Sequence, residues 1–139
     1  MKKGILIRTN GKVEAIEIEG LKGMQGAVDG NIECALTGDI SEHSIISDSD
    51  EHWDLWGNEE GRLLELPMNQ VARVFIAEMC NIPIEQVLSM HGDFLLLGHD
   101  GEGESIDCPQ SVADIAMALS MFNEPFTVLK TSEGDEVLF

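Results

Sequence analysis

The first residues fall into two short runs rich in apolar positions. In KGILIRTNGKVEAIEIEG, Ile5 and Ile7 alternate with Leu6 and Arg8, and Val13, Ile16 and Ile18 sit among charges. Asn10-Gly11 lies between the two runs, and this dipeptide takes the positive φ of a type I′ turn at little cost, so the pattern predicts an N-terminal β-hairpin. From residue 20 the period changes. Leu21, Met24 and Val28 recur three and four apart, the spacing of a short helix, although Gly23 and Gly26 weaken it. NIECALTG then reads as a strand. Residues 38–52 are mostly polar, with Ile45-Ile46 among them, and read as a loop insertion.

The pleated pattern resumes at Trp53, Leu55 and Trp56. A Gly-Asn-Glu-Glu-Gly turn follows, then a strand through Leu63, Leu64 and Leu66 that Pro67 ends. Val71, Val74, Phe75 and Met79 have helical spacing, with Asn69 as the N-cap. GDFLLLG is a short apolar run between glycines, the signature of a central strand. Ser111 to Asp114 reads as a capping box ahead of an apolar face formed by Val112, Ile115, Ala116 and Leu119. FTVLKTSEGDEVLF reads as a second hairpin about Gly134-Asp135. The order β-β-α-β-β-β-α-β-α-β predicts one α+β domain over residues 1–139. Its sheet is mainly antiparallel, and two or three helices pack on one face.

Composition adds a constraint on partners. The chain has 139 residues, 43% of them hydrophobic, enough for one domain with a real core. Its eight Lys and Arg face 26 Asp and Glu, for a net charge of −18. Five of the basic residues lie at Lys2, Lys3, Arg8, Lys12 and Lys22, leaving Arg62, Arg73 and Lys130 for the rest. Such a surface repels nucleic-acid phosphates and anionic membranes. Basic proteins and metal ions are the partners it attracts, although acidic residues also serve solubility alone.

Cys34, Cys80 and Cys108 are odd in number and widely spaced, which fits reduced thiols in a cytoplasm better than a disulfide framework. The N-terminal apolar run is too short for a signal peptide, and no run approaches the roughly 18 apolar residues of a membrane span.

The block NEEGRLLELPMN carries a family resemblance. Asn58-Glu59-Glu60-Gly61, Leu63-Leu64, Leu66-Pro67, Asn69 and Ala72 resemble the central motif of the family called domain of unknown function 3846. GILIRTNGKVEAIEI and GDFLLLG also fit its pattern, so the likeness spans residues 3–98 and leaves 99–139 as an extension. The resemblance implies a phage or mobile-element origin and assigns no catalytic residues. Members often carry basic residues after the second Asn of the motif. Here Gln70 and Val71 follow Asn69, which counts against a nucleic-acid role.

Candidate chemistry is sparse. Asp100, Glu102 and Glu104 alternate like the first ligands of a calcium loop, but the places needing Gly and Glu hold Ser105 and Ser111. His43, His52, His91 and His99 form no close pair along the chain, and no Cys-x-x-Cys is present. His91 and His99 flank the predicted strand 93–97, so a shared ligand is awkward. There is no Gly-x-Ser-x-Gly elbow, and GEGES lacks the Lys of a phosphate loop. The expectation is a non-enzymatic protein without cofactor.

Both tryptophans lie in an acidic stretch. Three apart on a strand, Trp53 and Trp56 face opposite sides. Either both rings serve the core, or one stands exposed among Asp48, Asp50, Glu51 and Asp54 as a partner anchor. Asn58, Glu59, Glu60 and Asn69 have the same two readings: short amides that bond backbone at a turn and a helix start, or a polar contact surface. The leading expectation is an acidic protein that inhibits or recruits a basic nucleic-acid-binding or defence protein by imitating phosphate charge. The first rival is a small-ligand or nucleotide module with its cavity near Asn58–Gly61 and Arg62 or Arg73 inside. The second is a structural homodimer, which light scattering distinguishes from a monomer.

Overall fold

A computed structural model describes residues 1–39 and 52–133. The strands are β1 (Lys2–Ile7), β2 (Val13–Ile18), β3 (Ile32–Asp39), β4 (His52–Asn58), β5 (Phe94–His99) and β6 (Ser105–Ile106). The helices are α1 (Gly20–Val28), α2 (Gln70–Cys80) and α3 (Gln110–Glu133). One sheet holds all six strands in the order β2-β1-β5-β4-β3, every pair antiparallel, with β6 on the end of β5. The class is α+β. Among the described residues no helix is long and apolar enough to cross a membrane.

The hairpin forms, but with a different turn. Gly11 N–H donates to Arg8 O at 3.0 Å, and Gly11 alone in this loop has positive φ, 92°. A type I′ turn needs positive φ at both central residues. The loop is instead a turn closed by a left-handed glycine, and Asn10 spends its side chain accepting from Lys12 N–H at 2.9 Å.

The central run explains the layering. β5 is buried along Phe94–Gly98, and its side chains alternate between two cores. Phe94 and Leu96 join Ile5, Ile7, Trp53 and Leu55 beneath α2 and α3. Leu95 and Leu97 join Ile18, Met24 and Val28 beneath α1. Two helices therefore share one face, as expected, and the third covers the other. A strand apolar at every position drives this division, because a single helical layer would leave Leu95 and Leu97 in water.

Three local elements differ from the expected pattern. Residues 61–66 make no strand. Leu64, Glu65 and Leu66 N–H groups donate to Glu60, Arg62 and Gly61 carbonyls, and Glu65 takes φ 57°. The amides are satisfied locally, so no ladder is needed. α3 begins at Gln110, one residue before the expected Ser111 cap, and Gln110 Nε2 donates to Asp114 Oδ1 at 2.8 Å. α3 then continues through 126–133, where a strand was expected. Strand propensity is a weak prior against a helix that gains one bond per added residue. The expected Gly134-Asp135 turn lies outside the described residues. So does most of the 38–52 segment, although Gly38 and Asp39 belong to β3 and His52 to β4.

Candidate functional site

Among the described residues, the expected partner-binding residues do not form one surface. Asp48, Asp50 and Glu51 lie outside the described residues. Trp53 is buried and meets Phe75 edge-on, with centroids 5.3 Å apart at 79°. Trp56 packs partly buried on the opposite face of the sheet, beside Leu95 and Leu97. Both rings thus serve cores, since β4 alternates its side chains and both of its faces are covered. Asp54 is buried too. Its Oδ1 accepts from Thr37 Oγ1 at 2.7 Å and pairs with His99 Nδ1 at 2.9 Å. His99 stacks on His52, centroids 4.7 Å apart at 10°, because β4 and β5 place them directly opposite. Spacing along the chain could not reveal that pair. The Cys34 thiol is pushed up, first by burial and then by the Asp54 carboxylate.

The Asn58–Gly61 block is built from the backbone outward. Asn58 Nδ2 donates to Asp29 O at 3.1 Å and Val28 O at 3.4 Å, tying the end of α1 to the end of β4. Its Oδ1 accepts from Glu60 N–H at 2.8 Å. A Cβ on Gly61 would lie 2.6 Å from His91 O, so glycine here permits the turn to press against residues 89–91. Arg62 secures the same contact, its Nε and Nη2 donating to Ser89 O at 3.3 and 2.9 Å. Asn58 is consumed by structure, whereas Glu59 and Glu60 stand exposed.

Between this turn, β3 and residues 88–91 lies a cavity of about 380 Å³. Glu33, Glu59, Arg62, Leu88, His91 and Phe94 are on its wall. The Leu66 carbonyl 2.8 Å from His91 Nδ1 can only accept, so Nδ1 carries the proton. Arg73 is elsewhere, its Nη2 donating to Ile84 O and Val87 O at 3.0 Å each. Leu88, on the cavity wall, is 73% exposed, and Leu63 and Leu64, which follow Arg62 in the turn, are 78% and 54% exposed. The sequence hid this site because Leu63 and Leu64 read as strand residues and Leu88 carried no pattern.

The acidic loop after β5 folds onto its own amides. Asp100 Oδ1 accepts from Glu102 N–H and Glu104 N–H, each at 2.9 Å. These bonds favour the carboxylate and hold Asp100 below the usual aspartate range. A carboxyl titration by ¹³C NMR should show Asp100 protonating at lower pH than a free aspartate. Its lowered value means this loop stabilisation is present above the ordinary aspartate range and is lost as pH falls through the Asp100 transition. Among the described residues no group of three His, Cys, Asp or Glu is placed to hold a metal ion.

Fold and site together define a small α+β domain with a carboxylate-walled cavity at one end of its sheet. The chain belongs to the family described as Domain of unknown function (DUF3846), whose model matches residues 1–123 and so extends past Gly98. No curated protein and no solved structure matches it.

Proposed function

We propose that this protein is a non-enzymatic acidic binding module of the cytoplasm. It inhibits or recruits a basic protein, such as a nucleic-acid-binding or defence protein, by presenting charge in place of phosphate. The observation that carries this reading is the exposed pair Leu63-Leu64 in a turn that also exposes Glu59, Glu60, Arg62 and Glu65, on a chain of net charge −18. Exposed apolar residues among mostly acidic neighbours suit a protein partner of the opposite charge. Apolar contact supplies affinity, and the carboxylates steer the encounter.

The test is a pull-down with basic host proteins at low and high salt, followed by calorimetry on each purified pair. Binding should weaken as salt rises. The double variant Leu63→Ser/Leu64→Ser should weaken it at least about tenfold at fixed salt, as loss of a central apolar contact does. Absence of any partner at low salt, or full affinity in the double variant, would reject the proposal.

The small-ligand reading draws on the cavity, which carries Arg62 on its wall. Glu33 and Glu59 share that wall and oppose a phosphate, so a nucleotide fits poorly. A ligand-induced rise in melting temperature would support this second reading.

A further inference from the structure

We infer that the cavity beside the Asn58–Gly61 turn is a subsite for one arginine side chain of the basic partner. The inference rests on the docking reading above and specifies its chemistry. The pairing register places Glu33 of β3 directly opposite Gly57 of β4. β4 and β5 are also paired, and Phe94 begins β5 beside Gly57. A Cβ on Gly57 would come within 2.3 Å of the Phe94 ring. The absent side chain is therefore what lets the ring lie against β4. One strip across the sheet thus carries a carboxylate, a bare backbone and an aromatic ring, and all three line the cavity.

The rest of the wall suits the same ligand. Leu88 and Met90 supply apolar surface for the methylene stem of a long side chain. Glu59 adds a second carboxylate. Arg62 offsets one negative charge, but its Nε and Nη2 are spent on Ser89 O, which turns it toward the 87–91 segment. Nδ1 of His91 is spent on Leu66 O, which fixes the ring against the turn. Carboxylate acceptors predominate, and the net charge of Glu33, Glu59 and Arg62 is negative. A planar guanidinium bonds a carboxylate through two N–H groups, which a compact ammonium does not. A phosphate or carboxylate ligand would meet two like charges.

Three probes distinguish these chemistries by ¹H–¹⁵N NMR: N-acetyl-arginine methylamide, its neutral citrulline counterpart, and N-acetyl-lysine methylamide. The arginine probe should give saturable shifts at the Gly57, Glu59 and Phe94 amides. The citrulline probe should give none, and the lysine probe should bind more weakly. Glu33→Gln, on an exposed edge-strand position, should keep the spectrum of the fold and weaken the arginine probe roughly three- to tenfold. Equal response to arginine and citrulline, equal response to arginine and lysine, shifts clustered elsewhere, or an unchanged affinity in Glu33→Gln would each overturn the subsite. The two readings fail differently. Capture of a basic partner with no arginine response removes the subsite alone. Arginine response with no partner captured removes the docking reading alone.

Discussion

Replacing Trp53 by Ala is expected to destabilise the fold by about 3–5 kcal/mol, the usual cost of removing a buried aromatic side chain. Trp53 is 2% exposed and sits in the larger core with Leu55, Leu96 and Phe75. Its edge-to-face contact with Phe75 adds roughly 0.5–1.5 kcal/mol to the area it buries. The site also cannot collapse easily. Gly38 on the neighbouring strand lies against the Trp53 ring, and a Cβ there would come within 2.3 Å of it. Truncation thus leaves a hole bordered by backbone. Domains of this size hold about 5–15 kcal/mol in total, so the loss is a large share. Urea denaturation measures it, and Trp53→Phe should recover most of the difference. The same variant decides what this tryptophan is for. A surface anchor for a basic partner would lose binding while keeping its stability, and that outcome would refute its core placement.

Asn69→Ala is expected to cost about 3–7 kcal/mol, against about 1 kcal/mol for an ordinary helix cap. Asn69 is fully buried and makes three side-chain bonds. Its Oδ1 accepts from Ala72 N–H at 3.0 Å, which is the capping bond of α2. Its Nδ2 donates to Ile7 O at 2.8 Å and Gly92 O at 2.9 Å, joining β1 to the approach of β5. Loss of the cap costs about 1 kcal/mol, and each buried carbonyl left unpaired costs about 1–3 more. Asn69→Asp separates the two roles. At a simple cap Asp equals Asn. Here Asp keeps an acceptor for Ala72 but presents a carboxylate to two carbonyl oxygens, so it should destabilise at least as much as Ala. Equal stability of Asn69→Asp and the parent chain in urea denaturation would show that only the cap matters.

The same residue shows where reading the chain stops. Its place before Val71, Val74 and Phe75 marked it as an N-cap, because capping is a local matter of three or four residues. The partners of its Nδ2 lie 62 and 23 residues away, and no spacing rule reports on them. Asn58 behaves likewise. The turn was legible, whereas its bonds to Val28 and Asp29 across 30 and 29 residues were not.

By itself the chain determined what depends on neighbours in sequence. The alternation around Asn10-Gly11 set the hairpin, the three- and four-residue spacing set α1 and α2, and the unbroken apolar run set β5 as a central strand. The acidic excess is likewise a property of composition. The tertiary structure alone decided which face each tryptophan joined, that α1 lies opposite α2 and α3, and that Asp54, His99 and His52 meet. It alone brought Glu33, the Asn58–Gly61 turn and Leu88 around one cavity. The physical reason is that periodicity specifies only which residues need burial. Which distant segment buries them is fixed when all strands and helices exclude water together.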